Sequence, residues 1–190
     1  MKKIIVLTTT VCMLSSFVAT ETIWTQDKMH SQLNFSATHF GISHIDGRFQ
    51  TFSITMKSEK QDFSDAQIDM TADIKSINTE VGYRDNDLKS SNWFDDDKFS
   101  TLSFKSTSFT KTKGKNYKLK GNLTMHGITK SVEFDATING WAVTMSKKNT
   151  PGFTLKGKLY RSDFNMGGTT AMTGVSNDIM VWTNVEMGKN

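Results

Sequence analysis

Residues 117–138, YKLKGNLTMHGITKSVEFDATI, hold two runs of alternating apolar and polar residues on either side of His126-Gly127. The apolar positions are Tyr117, Leu119, Leu123 and Met125 in the first run and Val132, Phe134, Ala136 and Ile138 in the second. Successive side chains of a strand point to opposite faces, so each run predicts a strand with one buried and one solvated face. The stretch therefore predicts an antiparallel hairpin, with His126 as a surface residue at its turn.

The same alternation recurs along most of the chain, in residues 31–39 (SQLNFSATH), 66–76 (AQIDMTADIKS) and 179–187. Further turn signals stand at Asp46-Gly47, Lys113-Gly114, Asn139-Gly140 and Pro151-Gly152. About eight or nine strands follow from this count, which favours a closed barrel or a sandwich. The chain has one proline to blunt an exposed edge, and several strands are long, so an edgeless barrel is favoured.

Residues 77–99 break the pattern, because their apolar and charged residues follow helical spacing instead. They predict a short helix inserted between strands, capped by Asn78 or Thr79 and covering one mouth of the barrel. Arg84 and Asp85 open this segment beside aromatic residues. They have two compatible interpretations, a structural salt bridge next to an aromatic plug and a lid over an apolar pocket.

The first twenty residues have the layout of a secretory signal peptide, with Lys2 and Lys3 ahead of an apolar stretch. The stretch is too short and too rich in hydroxyl residues for a good membrane span. We therefore expect export to the periplasm and one mature domain, residues 21–190. Cys12, the single cysteine, lies in the leader, so the mature domain has no disulfide or thiolate.

The charge of the mature domain argues against a nucleic-acid partner. Removal of the leader leaves 21 basic and 19 acidic residues, a net charge of +2. The lysines are spread along the strands beside acidic residues instead of forming a basic patch.

Three of the four histidines, His30, His39 and His44, fall within residues 30–44. His30 and His39 have opposite parity on one predicted strand, so they cannot share a metal ion. His39 and His44 flank a predicted turn, FGIS, and could approach each other, although two imidazoles alone make a weak site. We expect His39 to point inward, as a hydrogen-bond partner for the protein or for the head of a ligand.

No catalytic motif for hydrolysis or phosphate binding is found, and the sequence predicts no enzyme and no catalytic cofactor. Two alternatives remain open. One is a metal-binding or catalytic barrel that uses His39, His44, Arg84 and Asp85. The other is a barrel with a filled interior that binds a protein partner.

An ordered series of motifs runs from about Trp24 to Glu186 and resembles the YceI-like family, which are secreted lipocalin-like barrels associated with polyisoprenoid binding. The motifs are Trp24-Thr25-Gln26-Asp27, His30-Ser31, Phe35, His39, Gly47-Arg48-Phe49, Ser76-Ile77-Asn78-Thr79, Arg84-Asp85, Leu88, Trp93-Phe94, residues 121–132 (GNLTMHGITKSV), 161–167 (RSDFNMG) and 176–186 (SNDIMVWTNVE). Two positions depart from the family pattern, with Asp87 in place of a histidine and Asn165 in place of a glycine.

The resemblance implies an all-β fold, an eight-stranded antiparallel lipocalin-like barrel with an elongated apolar interior and a short helix near one mouth. It implies a periplasmic protein that holds a long isoprenoid, an isoprenoid-quinone-like lipid or a similar amphiphile for transport or storage. The candidate ligand contacts are Phe35, Ala37, His39, Phe49, Met70, Ala72, Arg84, Leu88, Trp93, Phe94, Phe104, Leu123, Phe134 and Phe153. The identity of the lipid, and whether the chain forms a homodimer, stay open at this stage.

Overall fold

Antiparallel strands dominate the part of the chain that the structure, a computed structural model, describes: residues 21–145, 147–168 and 173–189. In chain order the strands are β1 (Thr22–Gln26), β2 (Gln32–His39), β3 (Ser43–Phe49), β4 (Phe52–Ser58), β5 (Gln67–Asp73), β6 (Ile77–Asn78), β7 (Thr101–Lys111), β8 (Asn116–Met125), β9 (Ile128–Val143), β10 (Asn149–Tyr160) and β11 (Val175–Lys189). Helix α1 is Gly82–Lys89, and 3-10 helices occupy Ile74–Ser76 and Arg161–Phe164. The predicted signal peptide, residues 1–20, lies outside the described residues.

Eight strands close into a ring, as the resemblance implied. The ring runs β1-β4-β5-β7-β8-β9-β10-β11 and is completed where β1 pairs with β11, for example Trp24 with Lys189. β11 is long enough to pair with β1 near its end and with β2 earlier, so β1 and β2 lie end to end beside it. The sheet continues from β2, because β3 pairs with β2 and β6 pairs with β3. The all-β barrel prediction is confirmed.

One end of the barrel is where α1 is inserted. β6 pairs with β3 at Asn78 and Arg48, and the chain then enters α1. The predicted N-cap at Asn78 or Thr79 is wrong, since Val81 holds that position without a side-chain cap. The carboxylate of Asp85 instead accepts hydrogen bonds from the Thr79 backbone N–H (2.8 Å) and hydroxyl (2.6 Å), which fixes the chain just before the helix.

The turn signals had mixed outcomes. Lys113-Gly114 and His126-Gly127 lie between strands, as predicted, whereas Asp46-Gly47, Asn139-Gly140 and Pro151-Gly152 lie inside β3, β9 and β10. Gly47 pairs with Phe35 across β2 and β3, and a Cβ at Gly47 would overlap the Phe35 ring. The strand glycine thus makes room for an aromatic side chain and does not mark a turn.

Aromatic packing seals the barrel end away from α1. Phe63, 1% exposed, packs edge-on against Trp24 at 5.5 Å and Phe153 at 5.3 Å and stacks on Trp141 at 5.4 Å between ring centroids. The Tyr117 hydroxyl donates to the carbonyl oxygen of Asp62 at 2.7 Å, and burial raises the pKa of that hydroxyl. The loop that carries Phe63 is therefore held across this end of the barrel by aromatic packing and a hydrogen bond.

Candidate functional site

A cavity of about 700 Å³ occupies the barrel interior on the side of α1. A cavity of roughly 300–1,000 Å³ is the size that proteins use for small-molecule ligands. The predicted contacts that line it are Phe35, Ala37, His39, Phe49, Met70, Arg84, Leu88, Trp93, Phe94, Phe104, Leu123 and Phe134. This volume disagrees with the alternative of a filled barrel.

Two of the predicted contacts lie elsewhere. Ala72 is 2% exposed and is paired between Phe52 and Leu102, so it belongs to the packed wall. Phe153 packs on Phe63 and lines a second, smaller cavity nearer the sealed end. Neither residue lines the main cavity, because inward parity says which face a residue occupies but not its height along the barrel.

The walls of the main cavity are mostly apolar side chains. Several of them were not among the predicted ligand contacts: Leu33, Ile45, Leu102, Met125, Leu159, Met166, Val175, Ile179 and Val181. At its deep end Phe104 and Phe134 meet edge to face, with ring centroids 5.7 Å apart. The alternation of apolar and polar residues in the sequence could have identified most of the cavity-lining residues. Their grouping around one cavity requires the register of strands that are far apart in sequence.

The mouth of the cavity is formed by α1 and the segment after it. Tyr83 lines the cavity and is 87% exposed, so the cavity reaches the surface there. The Arg84 guanidinium donates from Nε to the Thr79 hydroxyl and from Nη2 to the Thr79 carbonyl, both at 2.7 Å. Arg84 and Asp85 both bind Thr79, in place of the predicted direct salt bridge. Asp87, where the family has histidine, accepts from the Trp93 indole N–H at 3.1 Å.

Arg161 also lines the cavity and is 3% exposed. Its guanidinium donates to the carbonyl oxygens of Ser176 (3.0 Å), Met166 (2.7 Å), Gly168 (2.6 Å) and Val175 (3.0 Å). The charge also lies over the Trp93 ring, 5.5 Å from its centroid, and burial lowers the pKa of Arg161. From the sequence, Arg161 was identified only as part of the RSDFNMG motif. The residues around it show no alternation that would have predicted an inward side chain.

The histidines do not form the metal site considered above. His39 lines the cavity with its ring against Phe40, at 4.4 Å between centroids, and that ring makes no hydrogen bond to any residue that the structure describes. His44 is exposed, with Nδ1 3.3 Å from the Thr38 hydroxyl. His39 therefore faces the cavity, whereas His44 lies at the surface.

Two other histidines have partners of their own. His126, predicted to be a surface residue, is half-buried, and its Nδ1 lies 2.8 Å from the Phe164 carbonyl oxygen, because its backbone adopts φ 51° and turns the ring inward. His30 Nδ1 lies 2.9 Å from the Asp27 carboxylate. This hydrogen bond lowers the pKa of Asp27 and raises the pKa of His30.

Within the described ranges, the group of side chains that could hold a metal ion is Asp27, His30 and Glu186, whose ligand atoms lie within 4.8 Å of one another. It lies outside the barrel and contains none of His39, His44, Arg84 or Asp85. Among the residues that the structure describes, no helix has the length and apolar character to cross a membrane.

A closed antiparallel barrel with an apolar cavity and a polar rim belongs to the class of small-molecule-binding barrels. Residues 24–187 match the model of the YceI-like domain. The chain belongs to this family.

Curated relatives match over most of their length. Protein YceI of Salmonella arizonae is 30% identical over 171 residues, 90% of this chain and 88% of the relative. The UPF0312 protein SAB2563 of Staphylococcus aureus is 32% identical over 152 residues, 80% of this chain and 86% of the relative.

Solved structures share the barrel. The YCEI protein of Campylobacter jejuni has a TM-score of 0.69 at 31% identity, covering 80% of this chain and 89% of that one. Burkholderia cenocepacia BcnA has a TM-score of 0.76 at 20% identity, with 85% and 98% covered. A polyisoprenoid binding domain from Saccharophagus degradans has a TM-score of 0.67 at 13% identity, with 88% and 98% covered. At these last two identities the likeness concerns the fold.

Proposed function

We propose that the protein is a non-enzymatic carrier or store that holds one long isoprenoid, or a similar amphiphilic lipid, in the main cavity. The observation that carries this proposal is the apolar cavity of about 700 Å³ that reaches the surface at Tyr83. The ligand class agrees with the polyisoprenoid binding named for the Saccharophagus degradans domain. The leader-like residues 1–20 support a periplasmic location, where such a carrier would move lipid between membranes.

Burial of the tail supplies enough free energy for binding. A methylene-sized group contributes roughly 0.8 kcal/mol when it leaves water, so a five-carbon isoprene unit contributes about 3 to 4 kcal/mol. Micromolar affinity needs about 8 kcal/mol after the costs of association. At roughly 30 Å³ for a water-sized group, the cavity of about 700 Å³ holds about four or five isoprene units. The tail alone can therefore account for tight binding.

The polar rim suits the head of the lipid. Nε and Nη2 of Arg84 bind Thr79, and the other guanidinium donors have no partner among the described residues. His39 lines the same cavity with its ring nitrogens equally available. A head that carries hydroxyl, carbonyl or phosphate oxygens would accept hydrogen bonds from these groups. Among the rim residues that the structure describes, no acid, base and nucleophile are arranged as catalysis would require.

The test combines native lipid analysis with a variant that fills the cavity. Protein purified without detergent is extracted with organic solvent and analysed by mass spectrometry, and uptake of an added polyprenyl quinone is then measured. We expect about one lipid per chain, and loss of uptake in Ala37→Trp, because Ala37 lines the cavity. Ala142→Trp, on the exposed face of β9, is the matched control. Absence of lipid together with absence of uptake by the unchanged protein would overturn the proposal.

A further inference from the structure

The barrel interior has two compartments. Beyond the main cavity, towards the sealed end, lies a second cavity of about 100 Å³, and both are lined by Leu33, Met70, Phe104, Phe134 and Val181. The remaining lining of the second cavity is almost wholly apolar, with Ile54, Met56, Phe109, Leu119, Ala136 and Val185 among its residues. The two cavities are therefore neighbours, with one shared set of side chains between them.

The edge-to-face rings of Phe104 and Phe134 dominate this divider. Each ring covers a glycine of the adjacent strand, Phe104 over Gly121 and Phe134 over Gly157, so closely that a Cβ on the glycine would overlap the ring. An aromatic ring packed on a strand glycine is held by backbone on one side and by neighbouring side chains on the other. The divider is thus rigid, in contrast to Met70, whose unbranched side chain adapts to its surroundings.

We propose that Phe104 and Phe134 form a chain-length stop, which ends the tail of the bound lipid at the boundary between the two cavities. The inference rests on the proposed function, since it concerns the depth to which a lipid tail enters. A tail long enough to reach the rings gains nothing from further units, because those units would remain at the mouth in water. The second cavity, at roughly 30 Å³ for each methylene-sized group, has room for about three such groups, which is part of one further isoprene unit, once the stop is removed.

The experiment measures the affinity for linear polyprenyl alcohols of two to ten isoprene units, by competition with a fluorescent lipid. For the unchanged protein we expect affinity to rise at least tenfold per added unit and to reach a plateau near four or five units. In Phe134→Leu and Phe104→Leu the stop is smaller, and the plateau is expected to move to a longer tail by up to one unit. Phe109→Leu is the matched control, since Phe109 lines the second cavity alone and should leave the plateau unchanged.

A filling variant tests the same boundary without weakening the rings. Ala136 lines the second cavity but not the main one, so Ala136→Leu reduces only the space beyond the stop. An unchanged plateau in this variant supports the stop, whereas a shorter plateau means that the tail already enters the second cavity and overturns the inference. A plateau that does not move in either ring variant also overturns it. If the unchanged protein binds no alcohol of the series, the proposed function fails instead.

Discussion

Arg161 combines burial with several hydrogen bonds to the backbone. The side chain is 3% exposed and donates to four backbone carbonyls between Met166 and Ser176. Two of these carbonyls, of Met166 and Gly168, lie in the segment that joins β10 to β11, and the other two lie at the start of β11. One side chain thus satisfies several backbone groups that would otherwise be buried without donors.

The first prediction replaces this side chain. Arg161→Lys should lower the free energy of unfolding by about 3 kcal/mol, because an ammonium group has three donors and cannot reproduce the fork of the guanidinium. Urea unfolding followed by circular dichroism measures the loss. Arg48→Lys is the control, as Arg48 forms an exposed pair with Glu80 at 3.1 Å and should change stability by less than about 0.5 kcal/mol. Equal effects in the two variants would contradict the structural role of Arg161.

The second prediction concerns the pH dependence of the Asp27 and His30 pair. The pKa of His30 is raised, so its contribution to stability is complete below about pH 6.5 and is lost as pH rises through the folded-state pKa. The pKa of Asp27 is lowered, so its contribution is lost in the opposite direction, as pH falls through its own folded-state pKa. The pair is therefore complete between about pH 4 and 6.5.

A titration of His30 by proton NMR tests this directly. The midpoint should lie above about 6.5 in the unchanged protein and return towards that value in Asp27→Asn, because the neutral amide no longer favours the imidazolium. Asp46→Asn is the control, since Asp46 pairs with Ser36 in the sheet and its replacement should leave the His30 midpoint unchanged. A His30 midpoint that is the same in the unchanged protein and in Asp27→Asn would argue against the pair in solution.

At the scale of elements, α1 depends on one threonine. The Thr79 hydroxyl accepts from Arg84 and donates to Asp85, and α1 itself has no buried residue and no side-chain N-cap. Most helical stability in proteins comes from packing of an apolar face, and in α1 Leu88 is a partly buried residue that packs against the core. The polar connection to Thr79 is therefore a large part of what holds the helix over the cavity mouth, together with Leu88 and the Asp87–Trp93 hydrogen bond.

The third prediction is that Thr79→Val loosens α1 while the barrel keeps its stability. Loss of about 1.4 kcal/mol from these hydrogen bonds corresponds to about tenfold faster amide exchange in residues 82–89. Hydrogen exchange with mass spectrometry measures this, with β8 and β9 expected to be unaffected. Thr71→Val removes an exposed hydroxyl contact with Ser53 and should leave α1 as it was. Faster exchange throughout the barrel would instead assign Thr79 a global role.

The strands show which parts of the fold could be predicted from the sequence alone. Alternation predicted the strands because one face of each is wet, as between Tyr117 and Ile138. The turn signal at Asp46-Gly47 was wrong because the sequence does not distinguish a glycine in a turn from a strand glycine that makes room for an aromatic ring. The inward direction of Phe35 and His39 was readable from parity. The place of Arg161, and the meeting of Phe104 with Phe134, depend on register between distant strands, which no local pattern contains.

For the whole molecule, a ligand in the main cavity has an energetic consequence. Without a ligand, apolar walls around about 700 Å³ of space would lack the dispersion contacts that a packed interior provides. A ligand that fills the space restores those contacts and binds the folded state alone. Ligand binding should therefore raise the stability of the entire barrel, including the sealed end far from the mouth, because the closed ring of strands unfolds as one unit.

The fourth prediction gives the size of this effect. A ligand at one hundred times its Kd stabilises the folded state by about 2.7 kcal/mol, and a domain of this length gains about 2–4 °C in Tm for each kcal/mol. Delipidated protein with saturating polyprenyl quinone should thus melt about 5–10 °C higher in calorimetry. Ala37→Trp should show a clearly smaller shift, since the indole takes up part of the cavity, and Ala142→Trp should retain the full shift. A shift of equal size in both tryptophan variants would place the lipid outside the barrel, because only Ala37 faces the cavity.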